Sequence, residues 1–186
     1  MQKRADWRDL VKELGWKKRN WAKDEVDCRK YLDNRMANAF IRASGAGPYT
    51  LTTVAVIELE YIADLIRILG RKCGKFAGFV SEHLPWIETE QIDLAVVTLT
   101  LDRAEHFARN FDVEAHEKAL LDTAYSPPNG HNSPMRTLVA TKYRRVDILR
   151  DYLEDLRSER YEFSFKEQII SVAELERLIA HVESDA

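Results

Sequence analysis

Between Thr50 and Lys72 the chain reads TLTTVAVIELEYIADLIRILGRK. Leu51, Val54, Ile57, Tyr61, Ile62, Leu65, Ile66 and Leu69 recur at intervals of three and four, the spacing of a helix with a wide apolar face. Glu58, Glu60, Asp64 and Arg67 make the stretch too polar to cross a bilayer, which needs about 20 mostly apolar residues. A soluble helix of this kind has to bury most of its circumference. The spacing therefore predicts a central helix with other helices packed around it.

Composition permits such a core. Hydrophobic residues are 45% of the 186, too many for a disordered chain, and the length suits one domain. A formal net charge of -3 argues against a general nucleic-acid coat protein. The charge is uneven. Residues 1–30 hold ten Lys and Arg against six Asp and Glu, while residues 151–186 hold four against ten. The two ends can meet partners of opposite charge, or attract each other. Cys28 and Cys73 form neither a CxxC pair nor a zinc spacing and read as reduced thiols. The polar N-terminus MQKRADWRDL does not read as a secretory signal, and no stretch reads as a transmembrane span. The expected location is cytoplasmic, with no membrane contact.

Taken in order, ADWRDLVKEL (5–14) predicts a short amphipathic helix ended by Gly15, with GWKKRNWAKDE as a loop or first turn after it. Cys28, Tyr31, Leu32, Met36, Ala39 and Phe40 predict a second helix over about 24–43, stopped by SGAGP (44–48). The central helix follows. KCGKFAGFVSEHL reads as a bend or short helix closed by Pro85. Further helices are expected over about 89–111, from Asp112 to about 124, and from Ser133 to about 158. Ser171 and Glu174 form a capping box that opens a last helix. RYEFSF (160–165) is the only strand-like run, with room for one small hairpin near 160–171. The predicted fold class is all-α, an antiparallel bundle of six to seven helices. It forms a single helical domain over 1–186 with a surface loop at 126–134.

Several chemistries lack their residues. SGAGPYT and GRKCGK do not complete a phosphate-binding loop, and neither GxSxG nor HExxH occurs. Asp102 with His106, and Asp112 with His116, are four apart and can share a helix face. The pairs stand about 15 Å apart along one continuous helix, so they cannot share an ion there. No metal and no cofactor is expected.

Two readings remain. In Arg109-Asn110-Phe111-Asp112-Val113-Glu114-Ala115-His116 an Arg and a polar residue are followed by a His seven positions after the Arg. That spacing resembles the signature of HEPN ribonucleases. The resemblance implies a small all-α bundle that cuts RNA without metal at a dimer interface. His116 would work on the 2′-hydroxyl or the leaving oxygen and Arg109 would hold the phosphate. The other reading starts from WKKRNWAK (16–23). Lys17, Lys18 and Arg19 could contact phosphates and the tryptophans could stack bases, but Asp24, Glu25 and Asp27 follow at once. A protein-binding face fits better, with Trp7, Trp16 and Trp21 as anchors beside Lys17, Lys18 and Arg19. The leading expectation is a helical interaction or regulatory module without catalysis that binds another protein or itself. The ribonuclease using Arg109 and His116 is the alternative.

Overall fold

The computed structural model describes residues 7–22, 24–122, 133–158 and 170–184. In chain order its elements are α1 (Trp7–Glu13), β1 (Lys17–Ala22), β2 (Glu25–Leu32), β3 (Arg35–Ser44), β4 (Tyr49–Leu59) and α2 (Glu60–Ile68). They continue with β5 (Ala77–Thr89), α3 (Leu94–Asn110), α4 (Val113–Asp122), α5 (Ser133–Lys142), α6 (Val146–Arg157) and α7 (Val172–Ser184). The five strands form one antiparallel sheet in chain order, β1-β2-β3-β4-β5. The fold is α+β. That overturns the expected all-α bundle: β1 stands where a loop or first turn was expected, β2 and β3 replace the second helix, β4 the first half of the central helix, and β5 the bend or short helix before Pro85. The hairpin expected near 160–171 and most of the 126–134 loop fall outside the described residues.

The central stretch shows why. Its first half is dense in β-branched residues: Thr50, Thr52, Thr53, Val54, Val56 and Ile57. Such side chains lose rotamer freedom in a helix and fit a pleated surface. Leu51, Thr53, Ala55, Ile57 and Leu59 are all buried, at period two. Val54 and Val56 on the other face add an apolar spacing that imitates a helix. Only from Glu60 does the chain turn helical, as α2. The segment 24–43 folds back on itself at Asp33-Asn34. Leu32 pairs with Arg35 there, and Asp33 takes φ 45°, as tight hairpins require. SGAGP is the connection from β3 to β4. A Cβ at Gly45 would stand 2.4 Å from the Pro48 carbonyl oxygen, so this tight connection requires glycine. Pro85 lies inside β5, at the sheet's edge, where the pairing with β4 is interrupted between Leu51 and Thr53. An edge and a bulge are the places a strand tolerates proline.

The described residues group into two compact units, one of residues up to 60 with 76–111, the other of 61–75 with residues from 112 on. The first contains the sheet, α1 and α3. α3 starts at Leu94, later than the expected start near 89 because β5 runs on to Thr89, and the Asp93 side chain caps it by accepting from the Val96 amide at 3.0 Å. Val97, Leu101, Ala104 and Ala108 form its buried seam, while Leu94, at the same spacing, is exposed. That seam packs on the sheet face formed by Cys28, Ala37, Ala39, Ile41, Ala55 and Ile57. Each large aliphatic chain so buried contributes about 1.5–3 kcal/mol. Arg35 of the same face donates to the Ala108 and Phe111 carbonyls at 3.0 and 2.9 Å, capping the helix's negative end. Lys30 reaches Glu105 at 2.6 Å. α1 ends at Gly15, as predicted, with φ 77°.

The second unit is helical: α2, α4, α5, α6 and α7. The helix expected over 133–158 is two, α5 and α6. Arg144 breaks it in a left-handed turn, φ 56°, and donates to the Val182 carbonyl at 2.7 Å. Neither glycine nor proline marks that break in the sequence. The capping box at Ser171 is formed in both directions: the Ser171 amide donates to Glu174 at 2.8 Å and the Glu174 amide to the Ser171 hydroxyl at 3.3 Å. Arg71 forks onto Glu174 at 2.5 and 2.9 Å, tying the segment after α2 to α7.

Candidate functional site

Strand alternation gives the sheet two different faces. Lys18 of β1 approaches Asp9 of α1 at 4.0 Å, and Lys30 and Arg35 reach α3, so both helices of the first unit lie on one face. Among the described residues of this unit, no helix packs on the opposite face. That face carries Asp27, Arg29 and Tyr31 of β2, then Met36, Asn38, Phe40 and Arg42 of β3. Val54, Val56 and Glu58 of β4 complete it. Tyr31 is 56% exposed and Phe40 42%, while Met36, Val54 and Val56 are half-buried. The Tyr31 ring meets the edge of Phe76 at 5.6 Å.

In the middle of these apolar groups sits a polar cluster. Asn38 is only 1% exposed. Its Nδ2 donates to Glu58 Oε1 at 3.1 Å. The strand register brings Asp27 alongside, opposite Phe40 and diagonal to Asn38. Among the described residues, Arg19 of β1 is the cation with an ion-pair approach, and a loose one: Nη1 is 3.5 Å from Glu58 Oε1 and Nε is 4.0 Å from the Asp27 carboxylate. Asp27 Oδ1 and Asn38 Oδ1 are buried and have no hydrogen-bond partner. Burial pushes the Asp27 carboxyl above its ordinary value. Arg19 opposes the effect, Glu58 adds to it, and Arg29 and Asn38 oppose it further. Below the opposite face Cys28 is fully buried, donates to the Ala39 carbonyl at 3.6 Å, and has its thiol pushed up by burial to about 12, so it is inert.

The residues singled out from the sequence fall elsewhere. Trp16 is 3% exposed and belongs to the core, so it is not available as a surface anchor. Trp7 is half-buried in α1, and the side chain of Trp21 lies outside the described set. Lys17 is exposed on β1 and Lys18 is largely covered beside Asp9. Of these, only Arg19 enters the cluster. The most exposed of the described tryptophans is Trp86, 68%, at the irregularity between β4 and β5. Arg109 ends α3 in the first unit and is paired with Glu105 at 2.8 Å. His116 is on α4 in the second unit, beyond the break at Phe111–Asp112. The spacing of the pair therefore does not run along one helix. The sheet also removes the all-α fold that the ribonuclease resemblance implied. Among the described residues, no three His, Cys, Asp or Glu side chains gather as for a metal, and no helix is long and apolar enough to cross a membrane.

The second unit has a polar cluster of its own. Glu117, 1% exposed, accepts from the Tyr61 hydroxyl at 2.5 Å and the Tyr143 hydroxyl at 2.8 Å. Lys142 Nζ donates to both its oxygens at 2.8 and 2.6 Å and stands 4.4 Å over the Tyr61 ring. Burial alone would raise the Glu117 carboxyl. Lys142 and the two tyrosines overcome it and hold the group below its ordinary value. Burial and the bond to Glu117 push the Tyr61 hydroxyl up. The bond to Glu117 raises Tyr143 to about 12. Every group here is partnered, so the cluster ties α2, α4 and the end of α5 together.

Comparison of the chain with protein-family models, with curated proteins and with solved structures gives no match. Sequence spacing had no means of finding Asp27, Asn38 and Glu58, which stand on three strands. Polar residues at interior positions of β-rich runs are the one signal that could have.

Proposed function

We propose that this protein is a non-catalytic interaction module that docks a partner protein on the open sheet face of its first unit. One observation carries the reading: Tyr31 and Phe40 stand exposed beside half-buried Met36, Val54 and Val56 on a face that no helix of the unit packs against. Exposed aromatic anchors around a largely desolvated polar centre are the anatomy of binding hot spots. The face is mixed in charge, with Arg29 and Arg42 set against Asp27 and Glu58, and Glu25 lies 3.5 Å from Arg42. That suits a protein surface better than a phosphate backbone.

A photo-crosslinking residue at position 40 tests this in cells. A control residue replaces Leu99, which is exposed on α3 away from the sheet. The expected result is an adduct at position 40 that Tyr31→Asp abolishes with the thermal midpoint unchanged, and none at position 99. Equal labelling at both positions refutes the docking face. An adduct between two copies of the chain redirects it to self-association. The ribonuclease alternative is tested by incubating purified protein with RNA in EDTA. Cleavage lost in both His116→Ala and Arg109→Ala would replace the present reading.

A further inference from the structure

The sheet-face cluster has an excess of acceptors. Asp27 and Glu58 supply four carboxylate oxygens, and Asn38 adds its carbonyl. Among the described residues its donors are the Asn38 amide, at 3.1 Å from Glu58, and Arg19, whose nitrogens stay 3.5 and 4.0 Å away. Those two distances lie at or beyond hydrogen-bond reach. Two acceptors, Asp27 Oδ1 and Asn38 Oδ1, have no donor at all while buried. Such groups carry a full desolvation penalty, and buried polar atoms are normally paired. What the cluster lacks is a group that donates several hydrogen bonds and accepts none.

A guanidinium is such a group. It has five N–H donors in a planar fork, no acceptor, and a plane that stacks on aromatic rings. Phe40 lies directly across the strand pair from Asp27, with Tyr31 farther along the same face. A hard metal ion fits less well, since among the described residues no three His, Cys, Asp or Glu side chains gather to hold one. The charge also allows it. Arg29, opposite Asn38, offsets one of the two carboxylates, and moving Arg19 aside leaves the other unbalanced. Arg19 is half-exposed and sits where the β1–β2 pairing is irregular, between Lys18 and Asn20, so its side chain is free to leave.

We propose that Asp27, Asn38 and Glu58 form the seat for an arginine presented by the docked partner, with the chain's own Arg19 standing in that seat until the partner arrives. This rests on the docking face described above and specifies what the partner brings to it. The seat works by exchange of one guanidinium for another. Arg19 keeps the carboxylates tolerable in the free protein and competes with the incoming side chain. The apparent affinity is therefore reduced by the fraction of time Arg19 occupies the seat.

The test uses the full chain, isotopically labelled, and three capped tripeptides: Leu-Arg-Leu, the same peptide with citrulline, and the same with norleucine. Citrulline keeps the shape of arginine and removes its charge. The arginine peptide is expected to shift the Asn38 side-chain amide signals saturably, with the citrulline peptide roughly tenfold or more weaker. Arg19→Ala should tighten arginine binding several-fold. Asp27→Asn and Glu58→Gln should each erase the preference for arginine over citrulline, with the remaining spectrum unchanged as the check on folding. Equal binding of arginine and citrulline peptides would overturn the seat. So would an Asn38 signal that does not move even in the Arg19→Ala protein. If all three peptides shift Tyr31 and Phe40 alike, the seat falls and the docking face stands. Failure of the docking face itself is read separately, at position 40.

Discussion

Glu117 in the helical unit and the Asp27–Glu58 pair in the sheet unit are carboxylates taken out of water on different terms. Glu117 has donors for both oxygens: one ammonium at 2.6–2.8 Å and two hydroxyls. The sheet cluster has one short bond, one distant guanidinium and two acceptors left over. The carboxyls respond in opposite directions, Glu117 lowered and Asp27 raised. A saturated cluster gains nothing from a newcomer and acts as a clamp. An under-donated one carries an unpaid desolvation cost that a group bringing donors would relieve.

The comparison can be broken by substitution, starting with the clamp. Lys142→Met leaves the Glu117 charge buried with only the two tyrosines, and should destabilise the protein by about 3 kcal/mol in denaturant unfolding. An unchanged midpoint would show that Glu117 is not held by this pair. Glu117→Gln keeps the shape but sets an amide donor against Lys142. The expected loss is about 1–3 kcal/mol at neutral pH. Because the folded pKa of Glu117 is lowered, its contribution is present above the ordinary glutamate pKa and is lost as pH falls through the folded value. The gap between wild type and this variant should close in acid.

The sheet cluster should respond with the opposite sign. Asp27→Asn removes a charge that burial disfavours and supplies a donor, so it should stabilise by about 1 kcal/mol at neutral pH. The folded pKa of Asp27 is raised. Wild-type stability from this group is therefore complete below the ordinary aspartate pKa and lost as pH rises through the folded value. The variant's advantage should appear only above that range in calorimetry, and a loss of stability on this substitution would erase the contrast. Smallest of all, Arg19→Ala should move stability by no more than about 0.5 kcal/mol, since its pairs are long and half-exposed. A larger drop would make Arg19 a structural member of the cluster.

Much of the helical content could be read from the sequence, and the sheet could not. α1, α3 and α7 carry one apolar stripe each, and Gly15, Asp112 and Ser171 mark helix ends in the sequence; Asp112 accepts from the Ala115 amide at 2.9 Å. The strands defeat periodicity because both faces of β4 hold apolar side chains. Leu51, Ile57 and Leu59 point one way and Val54 and Val56 the other, and together they imitate a helix. The density of Thr, Val and Ile was the better guide, as was Asp33-Asn34 at the centre of 24–43. The site was less legible still. Tryptophan content drew attention to Trp16, which proved to be core, while Asp27, Asn38 and Glu58 become neighbours only through the register of three strands.

Pro85 bears on how this protein behaves when crowded against copies of itself. β5 is an outer strand, and whichever way position 85 points it has no amide hydrogen to give an incoming chain. At the other outer strand, β1, Lys17 and Arg19 present charge on either side of an irregular pairing. One proline and these charges disfavour strand-by-strand growth at the two rims. A sheet whose face docks a partner, as proposed, needs that protection, because the rims of the same sheet would otherwise recruit its own kind.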